Sequence, residues 1–314
     1  MAELPIVIAH RGASGYLPEH TLVGKAYAHA LGADYLEQDV VLTGDGVPIV
    51  LHDTWLDDVT DVASVFPGRQ RDDGRSYAID FSLEEIRRLS IQERRDRSGR
   101  RRWPRRFDGP GQHLRIATLA EEIAFIQGLN RSTGRTAGVY PEIKNPAWHR
   151  QHGQDISRKV LDVLERFGLD RRSDALFLQC FDAEELQRVR VELGRDLRLI
   201  QLLGDESWLG APEAGLDRIA TYADGIGVSF PYLFHERLPA RTATESGLTR
   251  AAHARGLLVH AYTYRDDDLP PGVSGAAEAH RLLYEVAAID GLFSDHPDVS
   301  LACRPSLAAG PAVP

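Results

Sequence analysis

Eight short apolar segments recur along this 314-residue chain, separated by stretches of helical character. They are Pro5–His10, Tyr35–Val40, Gly138–Lys144, Ala175–Phe181, Leu197–Leu203, Gly225–Ser229, Leu257–Tyr264 and Gly291–Asp295. Strands that alternate with helices build a parallel sheet, because parallel neighbours need a crossover between them. Eight such units are the count that closes a TIM-type (β/α)8 barrel. The predicted fold is therefore α/β, one barrel over residues 1–303. Ser82-Leu-Glu-Glu85, Thr118-Leu-Ala-Glu121 and Asp182-Ala-Glu-Glu185 resemble capping boxes at helix starts. Gly32, Gly168 and Gly256 follow helical runs, where a left-handed C-cap favours glycine.

One stretch breaks the rhythm. From about residue 54 to 115 there is a single clear helix, around Leu83–Leu89, and an arginine-rich run from Arg94 to Arg106. This reads as an insertion after the second strand, with the arginines on a solvated loop. Residues 304–314 are rich in Ala, Pro and Gly and are expected to be a disordered tail. The net charge of −9 argues against a nucleic-acid partner, which needs a dominant basic face. No run of about 18 apolar residues is present, so no membrane-spanning helix is expected. Cys180 and Cys303 are too few for a disulfide framework. The opening Met-Ala-Glu-Leu-Pro carries no signal sequence, so the chain as written is expected to be cytoplasmic. A trimmed periplasmic or secreted form would look the same.

The chemistry concentrates near strand ends. Residues i and i+2 of a strand share a face, so Glu37 projects with Asp39, and Glu142 with Lys144. In a closed barrel the inward face is apolar in its middle layers and reactive at the strands' C-terminal ends. Burying several acids there without a counter-charge is expensive. A divalent cation held by Glu37, Asp39 and Glu142 is the simplest compensation, and all-oxygen donors favour Ca²⁺ or Mg²⁺ over zinc. Between Val40 and Val50 the connection is too short for a crossover helix, so it reads as a hairpin about Asp45-Gly46. Counting outward from a two-residue turn sets Asp39 opposite His52. Arg11, Lys144 and the metal would then clamp a phosphate diester. His10 and His52, both near-neutral titrators, would serve as general acid and base.

Five segments carry a family resemblance: His10-Arg-Gly-Ala-Ser-Gly-Tyr-Leu-Pro-Glu-His-Thr21, Tyr35-Leu-Glu-Gln-Asp39, Val50-Leu-His-Asp53, Tyr140-Pro-Glu-Ile-Lys144 and Leu178-Gln-Cys-Phe-Asp182. Together they resemble the glycerophosphodiester phosphodiesterases, most closely the bacterial periplasmic type, over about residues 5–300. The resemblance implies a metal-dependent hydrolase that releases sn-glycerol 3-phosphate and an alcohol from small-molecule diesters such as glycerophosphocholine and glycerophosphoethanolamine. It puts the catalytic histidines on His10 and His52, and the metal ligands on Glu37, Asp39 and Glu142. The phosphate cations fall on Arg11 and Lys144, and pocket-lining positions on Gln179, Phe181 and Tyr262. Calcium is the ion of the periplasmic type and magnesium that of many relatives. The insertion is implied to help shape the glycerol pocket.

Two other readings compete. A phospholipase acting on membrane lipids would want an apolar rim or basic face at the barrel mouth. A non-catalytic binder of anionic polymers would use the arginines but give both histidines and all three carboxylates no purpose. Elsewhere, Trp148-His-Arg-Gln-His152 reads as a polar loop, while His113, His253 and His280 read as loop or helix-surface residues.

Overall fold

Nine strands form in the computed structural model, which describes residues 4–109, 113–204, 212–235 and 244–305. They are β1 (Ile6–Ala9), β2 (Tyr35–Leu42), β3 (Pro48–Val50), β4 (Gly138–Ile143), β5 (Leu178–Cys180), β6 (Leu199–Leu203), β7 (Gly225–Ser229), β8 (Leu258–Tyr264) and β9 (Gly291–Ser294). All but β3 run parallel, and β1 pairs with both β9 and β2, which closes the barrel. Each of the eight predicted segments supplies one barrel strand.

The period of two along each strand divides the core into layers. Leu36, Val40, Val139, Ile143 and Leu178 pack outward under helix residues such as Ala28, Leu119, Ile123 and Leu186. The opposite parity fills the barrel axis with Ile8, Tyr140, Phe177, Ile200 and Phe293. Tyr140 stacks on Phe177 with ring centroids 5.1 Å apart. Its hydroxyl satisfies His260 Nδ1 at 2.7 Å, so this layer is closed and buried. Two residues beyond these inward positions lie His10, Glu142, Gln179 and Asp295. The packing that plugs the barrel therefore aims polar side chains at its C-terminal mouth.

The hairpin forms, but one residue out of the expected register. Val40 pairs with Val50, Val41 with Ile49 and Leu42 with Pro48, which sets Leu51 rather than His52 beside Asp39. Leu51 N–H donates to Asp39 O at 2.9 Å. The cause is the turn. Gly46 adopts φ +77°, its N–H bonds Thr43 O at 3.0 Å, and Thr43 N–H bonds Val47 O at 3.1 Å. That is a three-residue loop ending in a left-handed glycine, not a two-residue turn. His52 reaches the mouth because the chain leaves the ladder after Leu51.

Residues 54–109 and 113–115 wind over the face of this hairpin that carries Val41 and Ile49, the face shared by Glu37 and Asp39. They hold three short helical turns, Val62–Val65, Ala78–Asp80 and Leu83–Ile86, instead of one helix running to Leu89. Leu56, Val59, Val62, Phe81, Ile86 and Leu89 pack on Val41 and Ile49 as a second core. Ser82 and Thr118 form reciprocal capping boxes with Glu85 and Glu121, whereas Asp182 caps Glu185 N–H in one direction. Gly32 caps its helix at φ +107°.

Three minor readings change. Trp148 and His149 lie on a helix, Pro146–Gln151, and His149 is buried. His280 is also buried, and hydrogen-bonds Ser300 Oγ at 2.9 Å. The arginine run is not wholly solvated, since the side chains of Arg94 and Arg106 turn inward with 11% and 3% exposure. His253 pairs with Asp290 on the surface at 2.8 Å, while His113 takes part in no feature of the site. Both cysteines are free. No helix among the described residues is long and apolar enough to cross a membrane. Of the expected tail, Arg304 pairs with Asp34 at 2.7 Å, and residues 306–314 lie outside the described residues.

A fully buried ion pair ties the helix layer to β2. Lys25, on the helix Leu22–Leu31, contacts Glu122, on the helix Leu119–Thr133, at 2.6 Å. The same ammonium donates to the backbone carbonyl of Glu37. Truncating one member of a buried pair strands the other charge. Lys25→Met is expected to cost about 3–5 kcal/mol in urea unfolding. Lys25→Met/Glu122→Leu should recover most of it, and equal losses in the single and double variants would contradict the coupling.

Candidate active site

A cavity of about 280 Å³ opens at the C-terminal mouth, lined by His10, Arg11, Glu37, Asp39, His52, Glu142, Lys144, Gln179, Phe181 and Tyr262. Every site residue drawn from the sequence is therefore in one place, joined there by Arg265, Thr263 and Ser229. These contributors come from six barrel strands or their immediate extensions, and His52 comes from the hairpin.

The centre is a carboxylate cluster. Ligand atoms of Glu37, Asp39 and Glu142 lie within 4.8 Å of one another, and all three residues are buried. Burial pushes the Glu37 carboxyl well above its usual range, reinforced by the charge of Asp39. Burial also lifts Glu142 to about 8 against the pull of Lys144, and Asp39 adds to the rise. Asp39 alone is held well below the usual range, because Lys144, His52 and His20 outweigh its burial. The protein's own cations thus neutralise one acid of the three.

Fixed donors orient this cluster. Arg11 N–H donates to Glu37 Oε2 at 2.8 Å, Gln179 Nε2 to Glu37 Oε1 at 3.1 Å, and Lys144 Nζ lies 2.8 Å from Glu142 Oε1. His20 Nε2 lies 2.8 Å from Asp39 Oδ2, while Asp39 Oδ1 has no hydrogen-bond partner. Three clustered carboxylates, only one of them compensated by the protein's own cations, and one orphaned buried oxygen fit a hard divalent cation.

Each imidazole is backed by an aspartate. His10 Nδ1 sits 2.6 Å from Asp295 Oδ1, and His52 Nδ1 sits 2.8 Å from Asp53 Oδ1. An ionised carboxylate only accepts, so Nδ1 carries the proton in both rings and Nε2 is left for chemistry. Burial, then the charge of Arg11, lowers His10 to about 3 and His52 to about 4. Both rings are therefore neutral near pH 7. Arg11 and Lys144 remain charged at the rim of the cluster, with side chains 12% and 10% exposed.

Several members were not singled out in the sequence. His20 holds Asp39, Glu19 accepts from Arg11 at 3.0 Å, and Asp295 holds His10. Arg106 and Arg265 lie 2.7 and 3.1 Å from Asp295 Oδ2. Asp295 was the most accessible of these, because it closes the eighth predicted strand with the parity of His10 and Glu142. Glu19 and His20 precede the first helix in a loop, where no periodicity points.

Fold and mouth together define a TIM-barrel hydrolase of phosphoric diesters. Residues 10–299 match the model of the glycerophosphoryl diester phosphodiesterase family, and the chain belongs to that family. A glycerophosphodiester phosphodiesterase of Haemophilus influenzae is 40% identical, over 94% of this chain and 88% of its own. One from Treponema pallidum is 35% identical, over 94% and 90%. The barrel superposes on an Oleispira antarctica phosphodiesterase in complex with its product sn-glycerol-3-phosphate, with TM-score 0.65, 22% identity and 96% of each chain covered.

If the carboxylate cluster holds the cation, Ca²⁺ or Mg²⁺ added to chelator-treated protein raises its melting temperature. The gain should approach about 2.7 kcal/mol at a hundredfold excess over Kd. Glu142→Gln should abolish most of the shift in scanning calorimetry, and an undiminished shift would put the ion elsewhere.

Proposed function

We propose that the chain hydrolyses glycerophosphodiesters, such as glycerophosphocholine and glycerophosphoethanolamine, to sn-glycerol 3-phosphate and an alcohol. One observation carries this reading: the carboxylate triad, two aspartate-backed imidazoles and two cations converge on a single cavity. Family membership supplies the substrate class, and the relatives of known name agree with it. Glu37, Asp39 and Glu142 would hold the divalent cation, calcium in our reading with magnesium as the alternative. When bound, that cation supplies positive charge that polarises a phosphoryl oxygen.

The chain's own residues do the rest. Arg11 and Lys144 bind the non-bridging oxygens and favour the charge that builds up at phosphorus. One imidazole takes the proton of the attacking hydroxyl at Nε2. The other, which takes up a proton at Nε2 once the bound phosphodiester's negative charge has raised its proton affinity, gives that proton to the oxygen of the departing alcohol. Asp53 and Asp295 keep each ring in the tautomer that this exchange requires. Gln179 orients Glu37, while Phe181 and Tyr262 wall the cavity, and the Tyr262 hydroxyl is anchored on Leu203 O at 2.7 Å. The lipid reading has little to stand on. Among the described residues the large exposed apolar side chains are Val23, Tyr27, Phe181 and Val191, and only Phe181 touches the mouth.

The test measures glycerol 3-phosphate released from glycerophosphocholine. Activity should vanish after chelation and return with Ca²⁺ or Mg²⁺, the better ion deciding the metal. His10→Ala and His52→Ala should each lose on the order of 10²–10⁴ in kcat while retaining wild-type circular dichroism. Near-normal turnover in either variant, or in excess chelator, would overturn the assignment.

A further inference from the structure

Both histidine–aspartate pairs are gripped from behind by arginines of the 54–115 segment. Asp53 receives His52 on Oδ1 and Arg94 Nη1 on Oδ2, at 2.8 and 2.7 Å. Asp295 receives His10 on Oδ1 and Arg106 Nη2 on Oδ2, at 2.6 and 2.7 Å. The construction is the same twice, although the two aspartates are far apart in sequence. Each guanidinium is itself anchored by a second acid. Arg94 forks onto Glu19 at 2.9 and 2.8 Å, and Arg106 forks onto Asp267 at 2.8 Å through two nitrogens. Arg106 also donates to Ser14 O at 3.2 Å.

We infer that Arg94 and Arg106 are positioning residues for the acid–base pair, each orienting one histidine through its aspartate. The inference rests on the assignment of His10 and His52 to proton transfer. Physically, a planar fork fixed on one carboxylate leaves its remaining N–H little freedom, so the second carboxylate is fixed too. Without the arginine, Oδ2 of the aspartate loses a charged donor and the carboxylate can turn away from Nδ1. The ring then drifts, and a displacement of about 1 Å can cost on the order of 10² in rate. Arg265, 3.1 Å from Asp295 Oδ2, shares that oxygen but forms no fork on a second acid among the described residues.

The two arginines differ in one respect that sharpens the test. Glu19 also accepts from Arg11 at 3.0 Å, so Arg94 reaches a phosphate cation as well as a histidine. Arg106 has no such connection. Loss of Arg106 should therefore lower kcat and spare KM, whereas loss of Arg94 should change both.

The experiment is steady-state kinetics on metal-loaded, full-length protein with glycerophosphocholine. Arg106→Met is expected to lose about 10–100-fold in kcat with KM within about twofold, and Arg106→Lys to recover part of the loss. Because Arg106 acts through Asp295, Asp295→Asn/Arg106→Met should be no slower than Asp295→Asn alone. Wild-type kcat in Arg106→Met, a loss that multiplies onto Asp295→Asn, or a loss confined to KM would each overturn the inference. If Arg106→Met does not fold by near-ultraviolet circular dichroism, Arg106→Lys decides. A kcat below wild type at unchanged KM and melting temperature supports positioning, and wild-type kcat overturns it. His10→Ala is run alongside. If it is inactive while Arg106→Met is unimpaired, only this inference falls; if it is fully active, the functional reading falls and takes this inference with it.

Discussion

Three carboxylates buried within 4.8 Å of one another are the constraint around which the mouth is built. Desolvating one carboxylate costs several kcal/mol even after relaxation, and like charges at this distance add to that cost. The surroundings answer it with donors held in fixed geometry. Arg11 adopts φ +58°, a conformation that non-glycine residues seldom take, and in doing so presents its backbone N–H to Glu37 Oε2. His20, at φ +57°, likewise delivers Nε2 to Asp39. Backbone strain on the loop after β1 and ligand orientation on β2 are thus two sides of one arrangement.

From that centre the charges alternate outward. Asp39 is flanked by Lys144 and His20, Arg11 by Glu19, Glu19 by Arg94, and Arg94 by Asp53. A second line runs from His10 through Asp295 to Arg106 and Asp267. The links between a carboxylate and an arginine or lysine are ion pairs and those through His10 and His20 are hydrogen bonds; all are largely removed from solvent, so they are screened little and are costly to break. The barrel itself supplies only the inner members. The outer ones belong to the loop after β1, the irregular segment after β3 and the loop after β8, which is how surface connections come to govern side chains on the strands.

Much of this was legible from the chain. Strand parity placed Glu37 with Asp39 and Glu142 with Lys144 at the inward strand ends, because period-two alternation is a local property of an extended backbone. The hairpin was legible in kind but not in register. Asp45-Gly46 suits a two-residue turn, yet Gly44 N–H donates to Phe81 O at 2.7 Å, and the loop takes three residues. That contact is made by a segment remote in sequence, so no local pattern could reveal it. Arg94 and Arg106 were hidden for the same reason. A run of arginines looks uniform along the chain, and only the positions of Glu19, Asp53, Asp267 and Asp295 select which two turn inward.

The two dyads are built alike, so their different duties must arise from what faces Nε2. His10 Nε2 looks toward Glu37, with 3.8 Å to Oε2, while His52 is acted on by Lys144 in addition to the Arg11 charge that acts on both rings. Both rings are neutral at rest because burial and neighbouring cations disfavour the imidazolium. A bound phosphodiester brings a negative charge into the same cavity and offsets those cations, raising the proton affinity of each ring when it is needed. Substrate therefore helps to prepare its own general acid, and the aspartates behind the rings stabilise the imidazolium that forms. Holding those aspartates still is then as much a part of the chemistry as holding the phosphate.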